Sequence, residues 1–480
     1  MSVPAGRTAH DAAFALSRGA ARGPLNRVAR VTLPLAAAAA LVAVQAVSTG
    51  TASAESHRAS VPAAAALPDL SRPINIGKQL PAPLTTSQCQ AEIGISCYTP
   101  LQYHTAYDLN PLYSRGITGA GRTIVIVDSF GSPTIASDIK TFDAQFGLPS
   151  LDLSIARFGT IPPFNPNDST VVGWAEETTL DVEYAHAIAP GAKIVLAETP
   201  VAETEGTTGL PEMMNAEQTL INSGVGDVIS QSFGATENTF PGFSQGNYSS
   251  LLSLRYAFKD ALAHRVTVLA ASGDEGATDY ESDGSALYPY RVNSWPSSDP
   301  LVTSVGGTQL YLDNNGHRLQ PDSVWNDGFG AGGGGVSAIF GRPLYQLGVT
   351  KVVGSHRGTP DVSMTAAVDG AAWVYWSFPG AGAPGWELVG GTSEATPVFS
   401  GVVALADQLA GHRLGLINPA LYTLGALSHR TGLSTGLVDV TAGNNSFNNV
   451  TGYNAVPGYD LASGWGTIDA NRFVRALARF

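Results

Sequence analysis

Thr123-Ile124-Val125-Ile126-Val127-Asp128 is a continuous run of mostly β-branched residues that ends in an acid. A strand with one wet face alternates polar and apolar side chains. A run that is apolar at every position must bury both faces, as strands of a parallel sheet do. The signature repeats at Lys193-Ile194-Val195-Leu196-Ala197, Asp227-Val228-Ile229-Ser230, Val266-Thr267-Val268-Leu269-Ala270 and Val302-Thr303-Ser304-Val305. Helical or loop segments separate these runs, and Pro133 to Phe146 reads as a helix. Such alternation specifies an α/β fold, a largely parallel central sheet flanked by helices on both faces. Functional side chains of such sheets gather beyond the carboxyl ends of the strands, where Asp128 and Asp274 stand.

Composition agrees with a loop-rich α/β protein. The 480 residues are 44% hydrophobic and 14% charged, with 54 Gly and 30 Pro, which excludes a coiled coil or a disordered chain. The formal net charge is −13 and the basic residues form no stripe, so nucleic acid is not an expected partner. The glycine run Gly332 to Gly335 lacks the Gly-Lys-Ser/Thr of a phosphate loop. Close backbone approach or a substrate-lining strand accounts for it better.

Residues 1–54 read as a secretory signal. Arg7, Arg18, Arg22, Arg27 and Arg30 precede an apolar segment from Val31 to Val47, and Ala52-Ser53-Ala54 offers a cleavage site. The segment is short, rich in alanine and interrupted by Pro34, unlike a membrane anchor. Its removal would take the formal charge from −13 to −17 by deleting five arginines and Asp11. The expected product is a secreted chain with no membrane contact after cleavage, and a monomer. Residues 55–88 are rich in Pro, Ala and Ser without periodicity and read as an exposed linker or short pro-segment, leaving residues 89–480 as the folded domain. The only cysteines, Cys89 and Cys97, lie eight positions apart with no neighbouring metal ligands, and in an exported chain they are expected to form a disulfide.

Three stretches carry candidate chemistry. In Gly390-Gly391-Thr392-Ser393-Glu394-Ala395-Thr396-Pro397 a tight turn of small residues delivers Ser393 to the mouth of a helix. Backbone N–H groups and the positive helix end favour negative charge there. An N-cap serine is the ordinary alternative. In Glu176-Glu177-Thr178-Thr179-Leu180-Asp181-Val182-Glu183-Tyr184-Ala185-His186, helical spacing puts Glu177 and Asp181 on one face, Cβ atoms about 6 Å apart, with Pro190-Gly191 ending the helix. Solvated surface acids are the alternative. In Ala270-Ala271-Ser272-Gly273-Asp274 an acid follows a buried strand, as a turn-capping aspartate also would.

Taken together, Ser393, Glu177, Asp181 and Asp274 resemble the sedolisin family, the serine-carboxyl peptidases, over roughly Cys89 to Phe480. Further motifs in the family's order are Ala189-Pro190-Gly191-Ala192, Trp295-Pro296-Ser297-Ser298, Val305-Gly306-Gly307-Thr308 and Val324-Trp325-Asn326-Asp327. Gly333-Gly334-Gly335-Val336-Ser337, Pro360-Asp361-Val362 and Asn418-Pro419-Ala420-Leu421-Tyr422 complete the set. The resemblance implies a subtilisin-like fold and an acid-active peptidase acting on proteins or peptides. Ser393 would be the nucleophile, Glu177 its general base, Asp181 the residue that orients Glu177, and Asp274 a protonated stabiliser of the oxyanion. Asp128 would be a supporting acid that extends the Glu-Asp network. Segments Asp439 to Asn445 and Val456 to Asp460 resemble the family's calcium loop. That implies one structural Ca²⁺ held by the Asp439 and Asp460 side chains and the Val440, Val456 and Gly458 carbonyls.

A true subtilisin would need a histidine base, and no histidine here lies in a His-Gly-x-His pattern. His186 lies nine residues from Glu177 and projects from the other side of the helix. Well-known sedolisins carry a long folded pro-region. The 34 residues from 55 to 88 are too few for one, so folding without such a segment is expected. A non-catalytic binding protein on the same fold is the alternative function. A glycosidase using Glu177 and Asp181 is remote, because it leaves the serine turn unexplained.

Overall fold

The computed structural model describes residues 72–74, 80–381 and 384–480. The expected signal, residues 1–54, and most of the expected linker lie outside the described residues.

Each continuous apolar run forms a strand of one eight-stranded sheet. Its path runs Ser323–Val324, Thr303–Gln309, Thr267–Ala271, Val228–Gln231, Thr123–Ser129, Lys193–Thr199 and Asp152–Arg157, with Val362–Thr365 also paired to Thr303–Gln309. All pairings are parallel except the one made by Ser323–Val324. Both faces are covered, which is why the central runs never alternate. Ile124 and Ile126 pack with Leu180, Phe142 and Val402 from helices Ser169–Ile188, Ile135–Phe146 and Thr392–Ala410. Val125 and Val127 pack on the other side with Met213, Met214 and Phe258 from helices Leu210–Asn222 and Tyr256–His264. No helix among the described residues is long and apolar enough to cross a membrane.

A second sheet of four strands orders Arg72–Ile74, Gly385–Gly390, Ala371–Trp376 and Cys97–Tyr98. Its first strand falls within residues 55–88, the stretch read as an exposed linker or short pro-segment. Arg72 to Ile74 pair antiparallel with Leu388 to Gly390, and helix Thr86–Glu92 begins before the expected boundary, capped reciprocally by Thr85 and Gln88. A three-residue strand held by backbone pairing leaves no side-chain periodicity to read. Cys89 and Cys97 are joined by a disulfide with their Cα atoms 5.9 Å apart.

Two of the sequence motifs meet away from the serine turn. Asp361 accepts from the Arg357 guanidinium (Nη1–Oδ1 2.6 Å), from Tyr422 Oη (2.8 Å) and from the Ser304 N–H (2.8 Å), and all of these side chains are buried. Asn418 donates to Val302 O nearby (2.9 Å). The network ties helix Asn418–Thr431 to the sheet. Removing one partner of a buried ion pair strands the other charge. Arg357→Ala is therefore expected to destabilise the fold by about 3–5 kcal/mol, measured as the shift of the urea unfolding midpoint at constant slope. A loss below about 1 kcal/mol would show that the pair is not the brace described.

Candidate active site

Strand Gly385–Gly390 delivers the chain to Gly391, after which helix Thr392–Ala410 begins. Gly391 has φ 133°, and a Cβ there would lie 2.5 Å from Asp274 Oδ2, so no other residue fits. Ser393 occupies the second helical position, where the helix dipole makes the local field positive. Four residues on, Pro397 lacks the N–H that a helix would offer to the Ser393 carbonyl. Ser232 Oγ lies 3.4 Å from that oxygen.

Asp274 stands three residues beyond strand Thr267–Ala271. Its Oδ1 accepts two hydrogen bonds from Thr392, one from the backbone N–H (2.7 Å) and one from Oγ1 (2.8 Å). Thr392 Oγ1 in turn accepts from the Gly273 N–H (3.1 Å). The glycine run lies directly alongside. Gly333 N–H donates to Gly273 O (2.7 Å), Ala331 N–H to Asp274 O (2.9 Å) and Ser272 Oγ to Gly333 O (2.8 Å). A Cβ on Gly333 would sit 1.9 Å from Ser272 O. The expected close backbone approach is what the glycines provide.

Helix Ser169–Ile188 is capped by Asp168 and presents Glu177 and Asp181 one turn apart, both fully buried. The alternative of solvated surface acids does not hold. Asp181 Oδ1 accepts from Ser232 Oγ (2.9 Å), the hydroxyl that also lies against the Ser393 carbonyl. Burial holds the Asp181 carboxyl well above the usual range, and the charges of Asp128 and Glu177 add to that. Asp128, at the end of strand Thr123–Ser129, is pushed up to about 7 by burial, with Glu198 reinforcing the shift and Thr178 opposing it. The structure thus gathers the sequence candidates around the serine turn. Asp274 holds Thr392 on one side, Ser232 lies against the Ser393 carbonyl on the other and donates to Asp181, and Glu177 and Asp128 interact with Asp181. Such an arrangement could supply a hydroxyl nucleophile, carboxyl groups to move its proton and, from a protonated carboxyl, a donor for developing negative charge.

His186 has no place in it. Its Nε2–H donates to Pro149 O (2.8 Å) and lies 3.1 Å from Asp143 Oδ1, which makes it a structural residue as its helical position implied.

Two participants escaped the sequence reading. Ser232 follows strand Val228–Gln231, so its place at a carboxyl strand end was the available signal. Glu394, beside the serine, is fully buried. Burial raises its carboxyl well above the usual range, Asp274 adds to this, and hydrogen bonds from Tyr103 and Thr365 oppose it.

At the other end of the chain, Asp439 and Asp460 converge on one loop. Gly458 N–H donates to Asp439 Oδ2 (2.8 Å) and Val456 N–H to Asp460 Oδ2 (2.8 Å). Asp460 Oδ1 is fixed by the N–H groups of Ala462 (3.0 Å) and Ser463 (2.8 Å) and by Ser463 Oγ (3.1 Å). Among the described residues no group of three or more His, Cys, Asp or Glu is placed to hold a metal. A site here would therefore rest on two carboxylates and backbone carbonyls, an all-oxygen set that suits a hard cation.

The sequence profile of the subtilase family matches residues 165–453. Kumamolisin from Bacillus sp. (strain MN-32) is 32% identical over 404 residues, covering 80% of this chain and 64% of that protein. Sedolisin from Pseudomonas sp. (strain 101) is 30% identical over 384 residues, covering 78% and 60%. The chain thus spans less than two thirds of the length of these relatives. A solved structure of Pseudomonas sedolisin, described as a serine-carboxyl proteinase complexed with two molecules of pseudo-iodotyrostatin, superposes with a TM-score of 0.66 at 28% identity. That match covers 80% of this chain and 99% of that one. A family match over more than half of the sequence, a shared subtilisin-like fold and these relatives lead to one assignment: the chain belongs to the sedolisin family.

Proposed function

We propose that this protein is an exported, acid-active serine-carboxyl peptidase that hydrolyses peptide bonds in proteins or peptides. The observation that carries the reading is the placement of Ser393 between two sets of buried carboxyl groups, Asp274 bonded to Thr392 and Asp181 bonded to Ser232. Ser393 Oγ attacks the scissile carbonyl carbon while Glu177 takes its proton. Asp181 orients Glu177 and shares its charge. The tetrahedral oxyanion needs a donor, and Asp274 serves only while protonated. Because Oδ1 already accepts both bonds from Thr392, the proton of a neutral Asp274 resides on Oδ2. Collapse returns the Glu177 proton to the leaving amine, and water releases the acyl group by the same steps in reverse order.

Two opposed titrations bound the activity. Glu177 must be ionised, which sets an acid limb, and Asp274 must be protonated, which sets an alkaline limb. Reference values of about 4.3 and about 3.9 put the window in acid. Cleavage of a denatured protein is expected to peak below neutrality, to vanish in Ser393→Ala, and to fall about 10²–10³-fold in Asp274→Ala. A profile that peaks above neutrality would overturn the reading. A folded chain inactive at every pH, with calcium present, would leave a non-catalytic binding protein.

The same buried acids govern stability. Asp128, Asp181 and Glu394 have folded values raised above their unfolded ones. Their contribution is complete below about pH 4, and for Asp128 it is lost as pH rises toward about 7. The thermal midpoint is expected to be higher at pH 4.5 than at pH 7.5. The reverse order would contradict the burial of these groups.

Asp439 and Asp460, with carbonyls of Val440, Val456 and Gly458, would hold one calcium ion, whose role is structural, tying the chain end to the fold. Added calcium is expected to raise the thermal midpoint by mass action in the intact chain and not in Asp439→Ala. An equal response in both would remove this loop as the site.

A further inference from the structure

One row of side chains crosses the main sheet from its edge to the catalytic acids. Parallel register sets Arg157 on strand Asp152–Arg157 opposite Glu198 on strand Lys193–Thr199, and Glu198 opposite Asp128 on strand Thr123–Ser129. Adjacent strands lie about 4.8 Å apart, so the row brings a charge at the edge strand two strands away from Asp128. All three side chains share a face. Leu153, Ile155, Ile194, Leu196, Ile124 and Ile126 pack into the core on the side of the Glu177 helix, and period-two alternation puts residues 157, 198 and 128 on that side too. Arg157 Nε lies 2.8 Å from Glu198 Oε2, with the arginine side chain 61% exposed and the glutamate 3% exposed. The turn after Asp128 closes over this carboxyl. Gly131, at φ 75°, approaches so closely that a Cβ would sit 2.3 Å from Glu198 Oε1. Outside the turn, a cavity of about 190 Å³ is lined by both members of the pair.

We propose that Glu198 and Arg157 are positioning residues of the catalytic acid network, a surface-accessible ion pair whose balance sets the charge sensed by Asp128 and Asp181 and hence the pH at which Glu177 becomes a base. The proposal rests on the peptidase reading for its link to rate. The groups that face the row are Arg157 from the edge strand, Glu198 and Asp128 from the two inner strands, Glu177, Thr178 and Asp181 from helix Ser169–Ile188, and Ser232 from beyond strand Val228–Gln231. Burial lifts the Glu198 carboxyl and Arg157 opposes the lift. Glu198 acts on Asp128, and Asp128 on Asp181.

Opposite substitutions should therefore act in opposite directions. Arg157→Gln removes the one positive charge of the row, which raises the proton affinity of the carboxyl groups it faces, Glu177 among them. The acid limb of kcat/KM is expected to move to higher pH. Glu198→Gln removes that charge and leaves the arginine, so the limb is expected to move to lower pH. Displacements on the order of half to one pH unit suit a unit charge acting across two strands at intermediate dielectric. The double variant should return toward the parent profile. A pair that merely braces the edge strand would move neither limb, or both in one direction, and either result overturns the proposal.

A second readout needs no activity. The difference in thermal midpoint between pH 4.5 and pH 7.5 should widen in Arg157→Gln and narrow in Glu198→Gln, because protonation of the same acids is linked to folding. If the parent chain cleaved nothing, the peptidase reading would fail, and the same comparison on an Asp128→Asn background, where the pair's own titration persists and its coupling to Asp128 does not, would still decide the role of the pair. Equal differences in both variants would refute it.

Discussion

The two hydrogen bonds from Thr392 to Asp274 Oδ1 fix the geometry on which the rest of the site depends. They join the residue that opens the Ser393 helix to a carboxyl just beyond a central strand, two elements 118 residues apart in sequence. Once that contact is made, little freedom remains. Gly391 must be glycine because Asp274 Oδ2 occupies the space of its side chain, and the glycine run must pass within backbone contact of Ser272 and Gly273. Thr392 also completes the circuit by accepting from Gly273. The serine is thus positioned by neighbours on both sides of it, with no need for strain at the serine itself.

The other side of the serine is built on buried acid. Asp181, Asp128 and Glu394 are withdrawn from water, and burial disfavours their charged forms more than any other influence on them. A protein of this design binds protons in its folded state that its unfolded chain would release near neutrality. The proposed link between low pH and function therefore has a counterpart in stability. The conditions that keep a carboxyl neutral enough to donate a hydrogen bond are also those in which the fold loses least from enclosing several of them.

Much of this was legible in the sequence, for specific reasons. Strand Thr123–Ser129 announces itself because a sheet covered on both faces demands apolar residues throughout. Glu177 and Asp181 are legible because helical spacing is local, and Ser393 because a turn into a helix is spelled by Gly, Thr, Ser and Pro in order. What stayed hidden depends on register or on backbone alone. Arg157, Glu198 and Asp128 meet only through the pairing of three strands. Ser232 touches Asp181 from another strand end. Residues 72–74 join a sheet without any side-chain pattern. The carboxylates of Asp439 and Asp460 were found as candidates, but not the N–H groups of Gly458 and Val456 that hold them.

A last contrast separates the motifs into two kinds. Asp361 is as buried as Asp181, yet it faces a guanidinium, a tyrosine hydroxyl and a backbone N–H, so its charge is answered on several sides. Asp181 faces one serine hydroxyl and two further acids. Complete compensation makes a brace, because breaking it strands a charge. Incomplete compensation leaves a proton free to move within the pH range in which a reaction could use it. The sequence writes both as an aspartate among apolar neighbours, Pro360-Asp361-Val362 and Leu180-Asp181-Val182. Only the partners supplied by the fold decide which aspartate holds the structure together and which can do chemistry.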